Sequence, residues 1–230
     1  MKTITRWLRN ILIFFITSTI LAVVILKYIP VYITPLMLIR AVEQMIDGNA
    51  PEINHHWVPL EKISHNLPQA VMASEDNLFL KHHGFDLEQI QKAQIEAQEG
   101  KRQRGASTIS QQTARNVFLW QQRSWLRKGL EAYFTFLIEK IWGKERIMEV
   151  YLNSIEMGRG IYGADAVARI NFGTTPDNLT KSQSAYIAVS LPNPLHRDSG
   201  HPTAKMKKMH KTILKRMNQI DTFPRDVCAQ

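Results

Sequence analysis

The chain has 230 residues, of which 44% are hydrophobic, so it is long enough for a short anchor and one domain with a packed core. Its net charge of +9 comes from 29 lysines and arginines against 20 acidic residues, which suits a polyanionic partner such as nucleic acid, phosphate or an anionic membrane surface. Cys228 is the sole cysteine, which excludes an internal disulfide.

The N-terminal segment predicts a membrane anchor. Residues 10–26 carry no charge, and only Lys27 interrupts the apolar stretch before Pro30. Because a bilayer core needs about 20 helical residues, we expect a transmembrane helix over residues 10–30, with Lys27 reaching the interface. A cleaved signal peptide is the alternative, but the stretch is long and no A-x-A-like site follows it.

Basic residues set the expected orientation of this anchor. Lys2, Arg6 and Arg9 form a basic tail over residues 1–9, and the positive-inside rule then keeps the N-terminus in the cytoplasm. We therefore expect a single-pass protein of the inner membrane with its domain in the periplasm. Nucleic acid is not an expected partner there, whereas lipid head groups and phosphorylated lipids are.

The rest of the chain predicts mostly helices. Pro68 suits the first turn of a helix, and Thr180 with Gln183 has the spacing of a capping box. An apolar stripe over residues 126–141 and a basic segment over 204–217 predict two more helices. The predicted fold is therefore mainly α, with a linker over residues 31–54, one helical domain over 55–220 and a tail over 221–230.

A polar strip lies in the middle of the chain. A helix that begins near residue 108 places Gln111 and Arg115 on one face and Gln112 and Asn116 on the next, just after Ser107. Amides, a hydroxyl and a cation can contact sugar hydroxyls and a phosphate. A solvated surface strip would contain the same residues, so the pattern alone does not decide between them.

Acidic residues raise a similar choice at two positions. Glu75 and Asp76 are adjacent in "SEDNLFLKHHGF", which is either a helix end in water or a catalytic carboxylate in a cleft. Glu131 lies one helical turn after Arg127 and Lys128, and these cations favour its charged form. An ordinary helix ion pair has the same spacing.

Five motifs in order resemble the family 51 peptidoglycan glycosyltransferases, and the monofunctional branch most closely. The first, E-D-x-x-F-x-x-H-x-G, is complete from Glu75 to Gly84. The second, G-x-S-T-I-x-Q-Q-x-x-K-N, runs from Gly105 to Asn116, with Arg115 in place of the usual lysine.

The three later motifs extend the resemblance to about residue 197. The third has R-K-x-x-E-A starting at Arg127 and Y-L-N at residues 151–153. The fourth departs from the family pattern at Asp165 and Asn171, and the fifth is recognisable at residues 182–194. No serine has a lysine three residues later, so the S-x-x-K of a penicillin-binding transpeptidase is missing.

The resemblance implies a lysozyme-like helical domain that polymerises lipid II into β-1,4-linked strands, with inversion at the MurNAc anomeric carbon and release of undecaprenyl pyrophosphate. Glu75 would be the general base, with a pKa raised by its place at a helix end. Glu131 would lie beside the donor pyrophosphate, whose phosphates would be held by Arg115, Arg123 and Lys128. Further substrate contacts are implied for Ser107, Gln111, Gln112 and Asn116.

The expected partners follow from that reaction. They are lipid II, the nascent glycan strand and inner-membrane lipids, with other proteins of cell-wall synthesis or division as further candidates. The sequence requires no cofactor, although a divalent cation at the pyrophosphate fits the chemistry. The basic loop at residues 101–104 and the aromatic Phe118 and Trp120 are candidates for membrane contact, although both aromatics could equally be core.

Two rival classes stay open. A hydrolase or lytic transglycosylase could use a similar fold and a catalytic glutamate, but it would have little use for the cations. A non-catalytic, membrane-anchored scaffold is the other, and the presence of both glutamates argues against it.

Overall fold

The computed structural model describes residues 2–100, 107–226 and 228. In these residues the chain forms ten α-helices, which confirms the prediction of a mainly α protein with one N-terminal apolar helix. The helices are α1 Lys2–Tyr28, α2 Pro35–Ile46, α3 Asn66–Glu75, α4 Leu87–Gln98, α5 Ile109–Phe118, α6 Trp125–Ile141, α7 Lys144–Ser154, α8 Gly163–Phe172, α9 Lys181–Ser190 and α10 Ala204–Met217.

A small sheet joins distant parts of the chain. Its strands are β1 Asn54–His55, β2 Glu156–Gly158 and β3 Ile161–Tyr162, in the order β1-β3-β2. β3 pairs in parallel with β1 and antiparallel with β2. The sheet therefore fastens the segment that follows α2 to the turn that precedes α8.

The helix α1 is long and apolar enough to cross a membrane, and most of its surface is exposed in the isolated chain. It begins at Lys2 rather than near residue 10, since no helix breaker separates the basic tail from the apolar stretch. Its C-terminal half contacts the domain. Trp142 Nε1 donates to the carbonyl of Val23 at 2.7 Å, and Arg146 Nη2 donates to the carbonyls of Leu26 and Ile29 at 2.7 and 2.6 Å.

The expected linker contains the helix α2. Thr34 caps it by accepting from the amide of Met37, and Pro35 occupies the first turn, where its missing N–H costs nothing. Leu36 and Met37 are buried against Tyr162 of β3. The segment between the anchor and the domain is thus a packed element of the structure.

The core lies between two groups of helices. α3 packs on α9 and α10, and α5 packs on α6 and α7. Tyr151 and Phe79 are among the largest fully buried side chains and fill the space between these groups. The capping box predicted at Thr180 is present, and Pro68 lies in the first turn of α3 as predicted. This packing brings the C-terminal end of α3 against α5.

Candidate active site

Glu75 is the last residue of α3, and its carboxylate is held from two sides. Gln112 Nε2 donates to Oε2 at 3.0 Å, and Ser74 Oγ donates to Oε1 at 3.2 Å. Burial raises the pKa of Glu75, although these two hydrogen bonds oppose the shift. The helix end was predicted correctly, and desolvation by the surrounding protein is the main cause of the raised pKa. A half-buried carboxyl of this kind suits proton abstraction.

Asp76 has a separate, structural role. Its buried carboxylate accepts from His82 Nε2 at 2.9 Å and from the backbone amide of Ile109 at 3.0 Å. The amide of Gly84 donates to His82 Nδ1 at 3.1 Å, so the imidazole is fixed at both nitrogens. The two adjacent carboxylates therefore have different roles. Asp76 fastens the start of α5, whereas Glu75 is only half-buried.

The start of α5 is fixed by a capping box. The Thr108 hydroxyl accepts from the amide of Gln111, and the side-chain oxygen of Gln111 accepts from the amide of Thr108. Thr108 Oγ1 also donates to the carbonyl of Gly84 at 2.7 Å. The first and second sequence motifs are thus joined by direct hydrogen bonds, and the side-chain oxygen of Gln111 is used in the capping box.

The polar strip of α5 is not a solvated surface. Gln111 and Asn116 are buried, while Gln112 and Arg115 are half-buried. Tyr151 from α7 donates its phenol to Gln112 Oε1 at 3.3 Å, which orients the amide so that its nitrogen faces Glu75. Tyr151 belongs to the third sequence motif, which alone predicts no role for it at the site.

Two buried nitrogens on α5 have no hydrogen-bond partner among the described residues. They are Arg115 Nε and Asn116 Nδ2, one helical turn beyond Gln112. Buried polar atoms are nearly always satisfied in a resting protein, so unpaired donors here suit a polar or anionic ligand. Burial lowers the pKa of Arg115, and the negative charge of Glu131 opposes that shift.

Glu131 on α6 forms two ion pairs, of which the one with Arg127 is buried. Arg127 Nη1 lies 2.6 Å from Oε2, and Lys128 Nζ contacts Oε1. Glu131 is only 1% exposed and Arg127 8%, whereas nearly half of the Lys128 side chain is exposed. Glu131 is therefore not part of an ordinary surface ion pair, and the half-exposed side chain of Lys128 is accessible to a ligand.

Two other predicted site residues lie outside α5, Ser107 before it and Arg123 after it. The carbonyl of Ser107 accepts from Gln112 Nε2 at a long 3.5 Å. Arg123 is exposed in the loop between α5 and α6, and its charge contributes to the lowered pKa of Arg115. The basic loop at residues 101–104 lies outside the described residues.

The departures from the family pattern have structural partners. Asp165 is buried and accepts from Arg169 Nε at 2.9 Å. Asn171 Nδ2 donates to Ser199 Oγ at 2.8 Å, so it fastens α8 to the segment before α10. Neither residue contacts Glu75 or Glu131 directly through a hydrogen bond or ion pair in the described part of the chain.

Arg197 was not anticipated by the sequence analysis. Its positive charge favours the ionised form of Glu75, and its Nη1 donates to the carbonyl of Val189 at 3.0 Å. It lies in a loop after α9 with no periodic or motif signal, so only the folded chain reveals its place.

Comparison with known proteins identifies the family of the chain. The family model described as "Transglycosylase" matches residues 42–218. The chain belongs to the transglycosylase family.

This transglycosylase is similar to curated relatives over nearly their whole length. A biosynthetic peptidoglycan transglycosylase of Bacteroides thetaiotaomicron is 58% identical over 223 residues, covering 97% of this chain and 90% of the relative. Proteins of the same name from Caulobacter vibrioides and Bdellovibrio bacteriovorus are 48% and 44% identical, covering 95% and 94% of this chain and 92% and 86% of the relatives. The family predicted from the motifs is confirmed.

Proposed function

We propose that this transglycosylase is a peptidoglycan glycosyltransferase that polymerises lipid II into β-1,4-linked glycan strands. One observation carries the proposal. Helix α5 connects a half-buried carboxyl with a raised pKa, Glu75, to a group of cations around the buried Glu131. A base at one end and cations at the other match an acceptor hydroxyl and a departing pyrophosphate.

Glu75 acts as the general base in this proposal. It takes the proton from the C4 hydroxyl of the acceptor N-acetylglucosamine while that oxygen attacks the anomeric carbon of the donor N-acetylmuramic acid. The bond to the lipid pyrophosphate breaks on the opposite face, so the α-linked donor becomes a β-1,4 link. Gln112 and Ser74 hold the carboxylate in place, and Tyr151 holds Gln112.

The cations stabilise the leaving group. The side chain of Lys128 is about half exposed, Arg123 is exposed nearby, and Arg115 has a buried nitrogen with no partner among the described residues. Positive charges that are already in place offset the charge that develops on the pyrophosphate. Glu131 holds Arg127 and Lys128 in position through its two ion pairs. Arginine rather than lysine at position 115 gives a planar fork in place of a point charge.

The remaining polar residues contact the sugars and phosphates. Asn116 has an unpaired buried nitrogen, and Ser107 lies beside Gln112. Gln111 already uses its side-chain oxygen in the capping box, so its contact would use the side-chain nitrogen. No described residues form a group of three or more His, Cys, Asp and Glu able to hold a metal. A divalent cation would therefore be held mainly by the donor's own phosphates.

The apolar helix α1 supports a single-pass anchor in the inner membrane. We propose a cytoplasmic N-terminus and a periplasmic domain, because basic residues precede the helix. Membrane lipids are then obligatory neighbours. Other proteins of cell-wall synthesis or division are further candidate partners. A reporter fused after Gln230 that is active only outside the cytoplasm tests the orientation, and cytoplasmic activity would contradict it.

One assay tests the proposed reaction against its rivals. The purified full chain in detergent is given labelled lipid II, and the products are separated by chain length. We expect glycan strands, released lipid pyrophosphate and no cleavage of preformed peptidoglycan. Cleavage without polymerisation would identify a lytic enzyme, and neither activity would identify a scaffold. Repeating the assay with a chelator tests the need for a divalent cation.

A further inference from the structure

Helix α2 turns both apolar and polar side chains toward the protein. Its buried residues are Leu36, Met37, Ala41 and Gln44. Arg40 Nη2 donates to Glu156 Oε2 at 3.2 Å, and the side chain of Gln44 exchanges hydrogen bonds with the backbone of Glu52 at 2.7 and 3.4 Å. Gln44 is only 8% exposed. Amphipathic helices on soluble domains normally turn such residues to water.

The opposite face of α2 is apolar and exposed. Leu38, Val42, Met45 and Ile46 are 54%, 49%, 52% and 79% exposed. Their spacing of i, i+4, i+7 and i+8 places them on one stripe of the helix. The stripe contains no charged residue, and Glu43 lies at its edge. A continuous exposed apolar face of this kind marks a contact surface.

The position of α2 in the chain indicates what covers this face. Only six residues separate the end of α1 from the start of α2, and they span at most about 20 Å. Tyr32 and Ile33 in that connection are also exposed, at 62% and 65%. The end of α1 is fastened to the domain by Arg146, so the two helices keep their relation. The apolar face of α2 is thus held near the end of the apolar helix α1.

We propose that α2 is an interfacial helix whose apolar face, formed by Leu38, Val42, Met45 and Ile46, lies in the membrane leaflet from which α1 emerges. Lipid chains cover the exposed stripe, while the polar side remains bonded to the domain. Interfacial helices bury their apolar face about 5–10 Å into the boundary between head groups and acyl chains. This contact does not depend on the proposed reaction.

The contact has a consequence for the site. α2 packs directly on α5, the helix that carries Gln112, Arg115 and Asn116. Because α2 and α5 pack together, an α2 held in the leaflet keeps α5 and its polar residues close to the membrane surface.

Depth-dependent fluorescence quenching in the full chain tests the proposal. In a Cys228→Ala background, Met45→Cys is labelled with an environment-sensitive fluorophore and reconstituted in vesicles of phosphatidylcholine and phosphatidylglycerol. The matched controls are Leu12→Cys on α1 and Lys207→Cys on α10, both exposed in the isolated chain. We expect a blue-shifted emission at position 45 that lipid-borne nitroxides quench as strongly as at position 12. The label at position 207 should be unshifted and unquenched.

Two results would overturn the proposal. Emission and quenching at position 45 that match position 207 would place α2 in water. A pyrene label at position 45 that forms excimers at all lipid-to-protein ratios, without lipid quenching, would assign the face to a second copy of the chain. Because neither measurement requires turnover, failure here leaves the lipid II assay unaffected, and failure of that assay leaves α2 unaffected.

Discussion

The first motif packs closely against α6 at Gly84, and the sequence alone does not show why a glycine is required there. Gly84 has a φ of +96°, and a Cβ there would lie 2.8 Å from Thr135 Cγ2 and 3.0 Å from Glu139 Cγ. Thr135 cannot turn away, because it is fully buried and its hydroxyl donates to the carbonyl of Glu131 at 2.6 Å. Gly84→Ala should therefore strain both the backbone and the packing.

The expected loss of folding stability is the sum of these two effects. An unfavourable backbone conformation costs about 1–3 kcal/mol. Overpacking a tight site adds about 1–3 kcal/mol. The sum is about 2–6 kcal/mol, and with a shift of about 2–4 °C per kcal/mol for a domain of this size, the midpoint of thermal unfolding should fall by roughly 5–20 °C.

Gly129→Ala is the matched control for this prediction. Gly129 lies inside α6, has no positive φ, and a Cβ there meets nothing within 4 Å. Alanine in a helix interior should raise stability by about 0.5–1 kcal/mol. Thermal unfolding of both variants in detergent measures the difference. If Gly84→Ala unfolds at the wild-type temperature, or if both substitutions lower it equally, the proposed close packing at Gly84 is wrong.

Three further predictions concern the site. Tyr151→Phe removes the donor that orients Gln112. Since the hydrogen bond from Gln112 lowers the pKa of Glu75, the acid limb of the pH profile of the polymerisation rate should move to higher pH. An unchanged pH profile would refute the orienting role of Tyr151. Glu75→Gln should unfold at a higher temperature than wild type at about pH 7 and at the same temperature near pH 3. The raised pKa stabilises the folded chain fully below about pH 4.3, and this contribution is lost as pH rises through the folded-state pKa. Arg127→Leu breaks a buried ion pair and should lower the free energy of unfolding, measured by chemical denaturation, by about 3–5 kcal/mol. Lys92→Leu breaks a surface pair and should lower it by less than about 1 kcal/mol. Equal losses would contradict the assigned burial.

Local signals explain why part of the site was predictable. Thr108 and Thr180 start their helices through capping boxes that need only residues three positions apart. The i, i+4 spacing of Arg127 and Glu131 likewise predicted their ion pair. The motif order then identified the family, and it predicted Glu75 as the base without any knowledge of long-range contacts.

Burial and distant pairing could not be read from the same patterns. The strip of α5 is buried because α6 and α7 pack on it, which no local spacing indicates. Tyr151 reaches Gln112 across 39 residues, and Arg40 reaches Glu156 across 116. The second of these pairs fastens α2 to the domain, and the expected linker contains a helix with an exposed apolar face.

The central claim is that Glu75 is the general base of lipid II polymerisation. The most direct measurement compares Glu75→Gln with wild type and with Glu88→Gln, an exposed carboxylate on α4, for the initial rate of strand formation by the full chain. A positioned base contributes roughly 10²–10⁴-fold, so the rate of Glu75→Gln should fall by about that factor while Glu88→Gln keeps the wild-type rate. Thermal unfolding of each variant confirms that the compared proteins are folded. Strand formation by folded Glu75→Gln at the wild-type rate would contradict the mechanism.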